Sequence, residues 1–73
     1  MHPADINAAL IKRGLTQRAI AKRLGIAPPS VSNVINNRAI SHRVAKAISE
    51  AVGIPVDTLW PGRYQPHGYR RAT

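Results

Sequence analysis

Residues 17–34, QRAIAKRLGIAPPSVSNV, constrain this chain more than any other stretch. Ile20 and Leu24 stand four apart, which puts both on the inner stripe of one helix. Ala21 lies where two helices would cross most closely, and its small side chain suits that place. Gly25 follows Leu24, where helices often end in a left-handed residue that glycine adopts without penalty. Ile26 is expected to tuck under the turn. Val31, Val34 and Ile35 then recur at helical spacing as the inner face of a second helix. Any small bundle shares part of this pattern. A small inner residue, a glycine four places on and an apolar residue six beyond it together describe two helices crossing at a tight turn. Flanking helices would have to complete the core.

The chain has 73 residues, enough for one domain. A chain of this size buries only about 60% of its unfolded surface, so the core is small and single. Phe is absent and the aromatics are Trp60, Tyr64 and Tyr69, so the core must be mainly aliphatic. Eleven Lys and Arg face three acids, a net charge of +8. Such a chain is drawn to a polyanion: DNA, RNA or an anionic membrane. No apolar run approaches membrane-spanning length, and none follows the N-terminus as in a secretory signal. Zero Cys excludes disulfides and thiolate metal sites. The expected location is cytoplasmic, on the nucleoid if the polyanion is DNA.

The pattern predicts an all-α fold of five short helices. The first spans about residues 3–13, with Pro3 in the first turn, Asp5 against the positive helix end, and Ile6 and Leu10 facing inward. Gly14 stops it. Thr16 is a good N-cap for the second helix. The third starts at Pro28 or Pro29, tolerated only in a first turn, and ends near residues 36–37, where Asn37 can take the left-handed cap conformation. Ser41 caps the fourth, whose inner stripe is Val44, Ile48 and Val52, and Gly53 ends it. A last helix over residues 55–60 buries Val56, Leu59 and Trp60. The domain is thus drawn as residues 1–61. Residues 62–73 are basic and without periodicity, and are expected to form a mobile tail.

This order of helices resembles the lambda-repressor-like helix-turn-helix domains. The marks are Leu15-Thr16-Gln17 opening helix two, Leu24-Gly25 at the turn, and Val31-Ser32 within helix three. Within that group the chain is similar to the Ner-like (Nlp-type) regulators of Mu-like phages and their bacterial relatives. There the marks are Gly25-Ile26-Ala27-Pro28 and Leu59-Trp60-Pro61-Gly62-Arg63-Tyr64-Gln65. The resemblance covers about residues 4–65. It implies a small sequence-specific protein that binds double-stranded DNA, regulates transcription, most often as a repressor, and reads the major groove with helix three.

On that helix, Val31, Val34 and Ile35 centre the buried side. Pro29, Asn33 and Asn36 centre the opposite side, with Ser30, Ser32 and Asn37 at its margins. The resemblance assigns base reading to the first turn of this helix, at Pro28, Pro29 and Asn33. The two prolines depart from the family pattern. They offer only apolar contact, for example with a thymine methyl, and they remove N–H groups that would anchor a phosphate. Readout then falls on Asn33, with Ser30 and Ser32 beside it. Asn bonds adenine in bidentate fashion, worth about 1–3 kcal/mol of discrimination. The alternative for Asn33 is a solvated surface amide.

The phosphate candidates are Gln17, Asn36, Asn37, Arg38 and Arg43. The family places a phosphate contact at the residue matching Gln17; otherwise this is an ordinary first-turn residue. For Asn37 the capping role is the stronger expectation. Arg43 puts positive charge at the start of helix four, where the dipole disfavours it by a few tenths of a kcal/mol. A local cost there suggests a partner elsewhere, a phosphate or the minor groove; the alternative is a solvated arginine. Arg18, Lys22 and Arg23 read as a solvated basic flank. Arg63, Arg70 and Arg71, with Tyr64 and Tyr69, either track a phosphate strand or form a solubilising tail.

His2, His42 and His67 are scattered and lack Cys partners, so no metal spacing exists. There is no Gly-rich phosphate loop or nucleophile–base pair, and the chain reads as non-enzymatic, with no cofactor or small-molecule ligand expected. Three rivals stand beside the regulator reading. An antitoxin-type protein would bind both DNA and a toxin with the same fold. A cationic membrane-active peptide would be unfolded without anionic lipid. Single-stranded RNA binding is weakened by aromatics that lie only near the C-terminus. The resemblance leaves oligomeric state open: a monomer in solution that pairs as a homodimer on DNA, through the last short helix and tail, fits the absence of a separate dimerisation domain.

Overall fold

A computed structural model describes residues 1–64, and five α-helices lie among them. They are α1 (Pro3–Lys12), α2 (Gln17–Leu24), α3 (Pro28–Ile35), α4 (His42–Val52) and α5 (Val56–Leu59). No strand occurs among the described residues.

Local chemistry sets each boundary. Pro3 opens α1, and the His2 ring accepts the Ala4 N–H at 3.0 Å. Thr16 Oγ1 accepts the Ala19 N–H at 3.1 Å, and Ser41 Oγ accepts the Val44 N–H at 3.3 Å. Both are side-chain N-caps that satisfy an otherwise orphaned donor. At the other end of α2, Gly25 takes φ 71°. Its turn is closed by Gly25 N–H to Lys22 O at 3.2 Å and Ile26 N–H to Ala21 O at 3.0 Å. These paired bonds form a Schellman cap and fix the chain's exit angle toward α3. The same cap ends α3, with Asn37 at φ 62° in the left-handed place. Asn37 N–H meets Val34 O at 3.2 Å and Arg38 N–H meets Asn33 O at 2.8 Å.

Helix α4 packs against α1, α2, α3 and α5, and α2 crosses α3. The core runs through Ile6, Leu10, Ile20, Ala21, Val31, Val34, Ile35, Val44, Ala45, Ile48, Val52 and Leu59, closed by Trp60 and Tyr64. Each fully buried large aliphatic side chain contributes about 1.5–3 kcal/mol relative to exposure. Ile26 is half-buried against this core, as its place under the turn implies.

Three details differ from the expectation. Arg13 caps α1 instead of extending it. Trp60 is buried but lies just beyond the four-residue α5, and Val56 is only half-buried. Tyr64, assigned by its sequence context to the tail, is 4% exposed. Its ring meets Trp60 at 5.5 Å between centroids and His42 at 5.1 Å, both edge-on, a geometry that aromatic quadrupoles favour. An aromatic in a basic, aperiodic stretch carries no period to reveal its burial. The remainder of the expected tail, residues 65–73, lies outside the described residues.

Candidate nucleic-acid interface

The outward side of α3 begins with carbon. Ala27 occupies the N-cap without a side-chain hydrogen bond, and Pro28 and Pro29 follow in the first turn. All three are exposed. Two of the N–H groups that usually make a helix start attractive to a phosphate are therefore missing. Ser30 is exposed, whereas Ser32 and Asn33 are half-buried.

Asn33 lies along a groove shared with Ile26, Ser30, Ala39, Ser41 and Arg43. Its backbone carbonyl is taken by the Arg38 and Ala39 N–H groups, at 2.8 and 3.2 Å. The Asn36 amide, by contrast, turns back along the helix. Its Nδ2 donates to Ser32 O at 2.9 Å and to Ser32 Oγ at 3.2 Å. Asn36, Asn37 and Arg38 are all exposed at the C-terminal end of α3.

Besides Asn36, two more of the predicted phosphate residues use their side chains on intramolecular partners. Gln17 Nε2 donates to Asn7 Oδ1 and so bridges the start of α2 to α1. Arg43 Nη2 donates to the carbonyl oxygen of Leu24 at 2.6 Å. That carbonyl belongs to the last turn of α2, the negative end of its dipole, which resolves the local cost of a cation at the start of α4. Arginine has five N–H donors, so this bond leaves others for a second acceptor.

The predicted residues thus fall into three places. Pro28, Pro29, Ser30, Ser32 and Asn33 lie on or beside the first two turns of α3, with Arg43 across the groove. Asn36, Asn37 and Arg38 form its far end, and Gln17 stands apart at the start of α2. Sequence reasoning missed Asn7, whose spacing from Gln17 carries no motif. It also missed what Arg63 and Tyr64 hold. Arg63 Nη2 donates to Asn37 O at 2.9 Å, and Tyr64 Oη accepts the Ser41 N–H at 3.2 Å.

Among the described residues no group of three or more His, Asp or Glu is placed to hold a metal, and no helix is long and apolar enough to cross a membrane.

The whole chain, residues 1–73, matches the family described as winged helix-turn-helix DNA-binding. It is 31% identical over 64 residues to the negative regulator of transcription of Escherichia phage Mu, covering 88% of this chain and 83% of that protein. It is 28% identical over 69 residues to the Mu-like prophage FluMu DNA-binding protein Ner of Haemophilus influenzae, covering 94% and 75%. It is 38% identical over 61 residues to the repressor protein CI of Enterobacteria phage phi80, covering 84% of this chain but only 26% of that protein. The chain therefore spans about a quarter of the phi80 repressor and most of the Mu regulator. No solved structure matches it. The family's description speaks of a wing, yet the described residues hold helices only. The crossing of α2 and α3 at Gly25, the basic charge and these matches place the chain in the winged helix-turn-helix DNA-binding family, as a Ner-like, non-enzymatic member.

Proposed function

We propose that the chain is a sequence-specific regulator of transcription, acting as a repressor, that lays α3 in the major groove of double-stranded DNA. The observation that carries this reading is the outward face of α3. Pro28, Pro29 and Ser30 are exposed at its start, and Asn33 lies one turn on in a groove open to Ser30 and Arg43. Asn33 reads a base edge, an adenine by chemistry, while the prolines and Ser30 and Ser32 supply apolar and secondary contacts. Gln17, Asn36, Asn37, Arg38 and Arg43 engage backbone phosphates on either side and set the register. The net charge of +8 supplies the salt-dependent attraction that holds the protein on any sequence. The names of the Mu and phi80 relatives, a negative regulator and a repressor, support the sign of regulation.

Two copies pair on DNA, each reading one half-site, because one short recognition helix covers few base pairs. Selection from a random double-stranded library at near-physiological salt tests the reading. A two-fold symmetric motif with half-sites about 34 Å apart is the expected result. A single unsymmetrical motif would retain the regulator and remove the pairing. Binding without any motif, abolished by modest salt, would remove sequence-specific regulation.

A further inference from the structure

The loop after α3 is tied at both ends to the C-terminal segment. Its first half holds Asn37, whose carbonyl accepts from Arg63 Nη2 at 2.9 Å. Its last residue, Ser41, donates its N–H to Tyr64 Oη at 3.2 Å. Tyr64 is itself anchored, 4% exposed and edge-on to both Trp60 and His42. Arg63 lies in the turn after α5, where its N–H bonds Trp60 O at 3.2 Å. Between the two ties lie Arg38 and Ile40, both exposed, with half-buried Ala39 between them. The backbone bonds of Asn37, Arg38 and Ala39 to the last turn of α3 fix where the loop starts. With its far end at Ser41 untied, the loop would still sample more conformations and present Arg38 less uniformly.

We infer that Arg63 and Tyr64 are positioning residues for DNA-backbone binding: they strap residues 37–41 in the one conformation that presents Arg38 and the α3 C-terminus to a phosphate. The inference rests on the proposed DNA-reading orientation of α3. It assigns to the strap a share of affinity but none of sequence discrimination, because phosphate contacts position and carry no sequence information.

The two ties act differently. The Arg63 guanidinium donates to the Asn37 carbonyl just past the negative end of α3 and braces the left-handed turn there. The Tyr64 hydroxyl satisfies a part-buried N–H at the N-cap residue of α4, so the loop and the α4 start are set together. Tyr64 to Phe keeps the ring and its packing and removes this tie alone, with no change of charge.

The test is a double-mutant cycle on the full chain, using the DNA that the library selection enriches and a scrambled duplex. Wild type, Tyr64→Phe, Arg38→Ala and the double variant are titrated at several salt concentrations below their melting temperatures. Tyr64→Phe is expected to weaken both duplexes about fivefold, the worth of one hydrogen bond of typical net strength. Its salt slope should fall by about one phosphate contact, 0.9 in log–log terms. In the Arg38→Ala background the same change should have little further effect, since the residue it positions is gone. Arg63→Lys, which keeps the charge and a donor for the Asn37 carbonyl, should restore most of the affinity that Arg63→Ala loses. Faster hydrogen exchange at the Ser41 amide in Tyr64→Phe should report the released tie without DNA. Full additivity of the two variants, or an unchanged salt slope in Tyr64→Phe, would overturn the strap while leaving DNA reading by α3 intact. A wild-type chain that enriches no sequence would instead sink the DNA-reading proposal and the strap with it.

Discussion

Arg43, from the first turn of α4, donates to the carbonyl oxygen of Leu24 at 2.6 Å and so locks the turn between α2 and α3 onto the helix behind it. The bond ties α4 to the start of that turn, because Leu24 ends α2 immediately before the left-handed Gly25. Its loss removes a charge-assisted hydrogen bond, worth about 1 kcal/mol at this exposed site. Arg43→Ala should therefore lower the melting temperature by about 4–8 °C. It should also flatten the salt dependence of DNA binding by about 0.9 if a second N–H of the same guanidinium holds a phosphate. Thermal denaturation and salt titration read the two roles separately. A lower melting temperature with an unchanged slope would leave Arg43 as a purely structural clasp.

Asn33 is expected to carry most of the base discrimination. Asn33→Ala should narrow the ratio of target to scrambled affinity by about five- to a hundredfold, the range for one bidentate base contact. Asn33 is half-buried along the groove and outside the core, so the melting temperature should move little. An unchanged ratio would overturn base reading: equal loss on both duplexes would make Asn33 a phosphate contact, and no loss on either would make it a solvated amide.

The prolines make a different prediction. Carbon-rich Pro28 and Pro29 can favour a thymine methyl but cannot donate to a base edge. Replacing thymine by deoxyuracil at the contacted positions of the selected duplex should cost about fourfold in affinity per methyl, the transfer value of one buried carbon. The cost should vanish in Pro29→Ser. Binding indifferent to uracil would move the apolar face of α3 away from the bases.

The fold was legible in the sequence because each helix stop has a local chemical cause. Thr16 and Ser41 act through their own side-chain oxygens and Gly25 and Gly53 through their own backbones, and an i, i+4 apolar pair declares its face without knowledge of its partner. The outward residues of α3 were legible for the same reason, since a helical period fixes both sides at once. What stayed hidden is what depends on distant pairs. Arg43 looked for a phosphate because its dipole cost was visible, whereas the Leu24 carbonyl that answers it lies 19 residues away. Tyr64 looked like tail because its burial depends on Trp60, His42 and Ser41 meeting in space. Gln17 and Asn7 belong to different helices, and neither residue announces the other.

Asn37 allows capping to be separated from contact. Its φ of 62° makes it the left-handed residue of the α3 cap, and its carbonyl is the acceptor for Arg63. Both roles belong to the backbone, which glycine reproduces at no steric cost. Asn37→Gly should hold stability within about 0.5 kcal/mol, the usual difference between these residues at a left-handed C-cap. Asn37→Ala should lose about 1 kcal/mol, because a Cβ without a polar group disfavours that conformation. If the side chain holds a phosphate, both variants should weaken target and scrambled DNA equally, by about fivefold for one hydrogen bond. Denaturation curves and DNA titrations of the two variants then divide the residue's work. Weakened binding in Asn37→Gly at full stability assigns the amide to the phosphate. Wild-type binding in Asn37→Gly, with loss in Asn37→Ala alone, leaves it a cap.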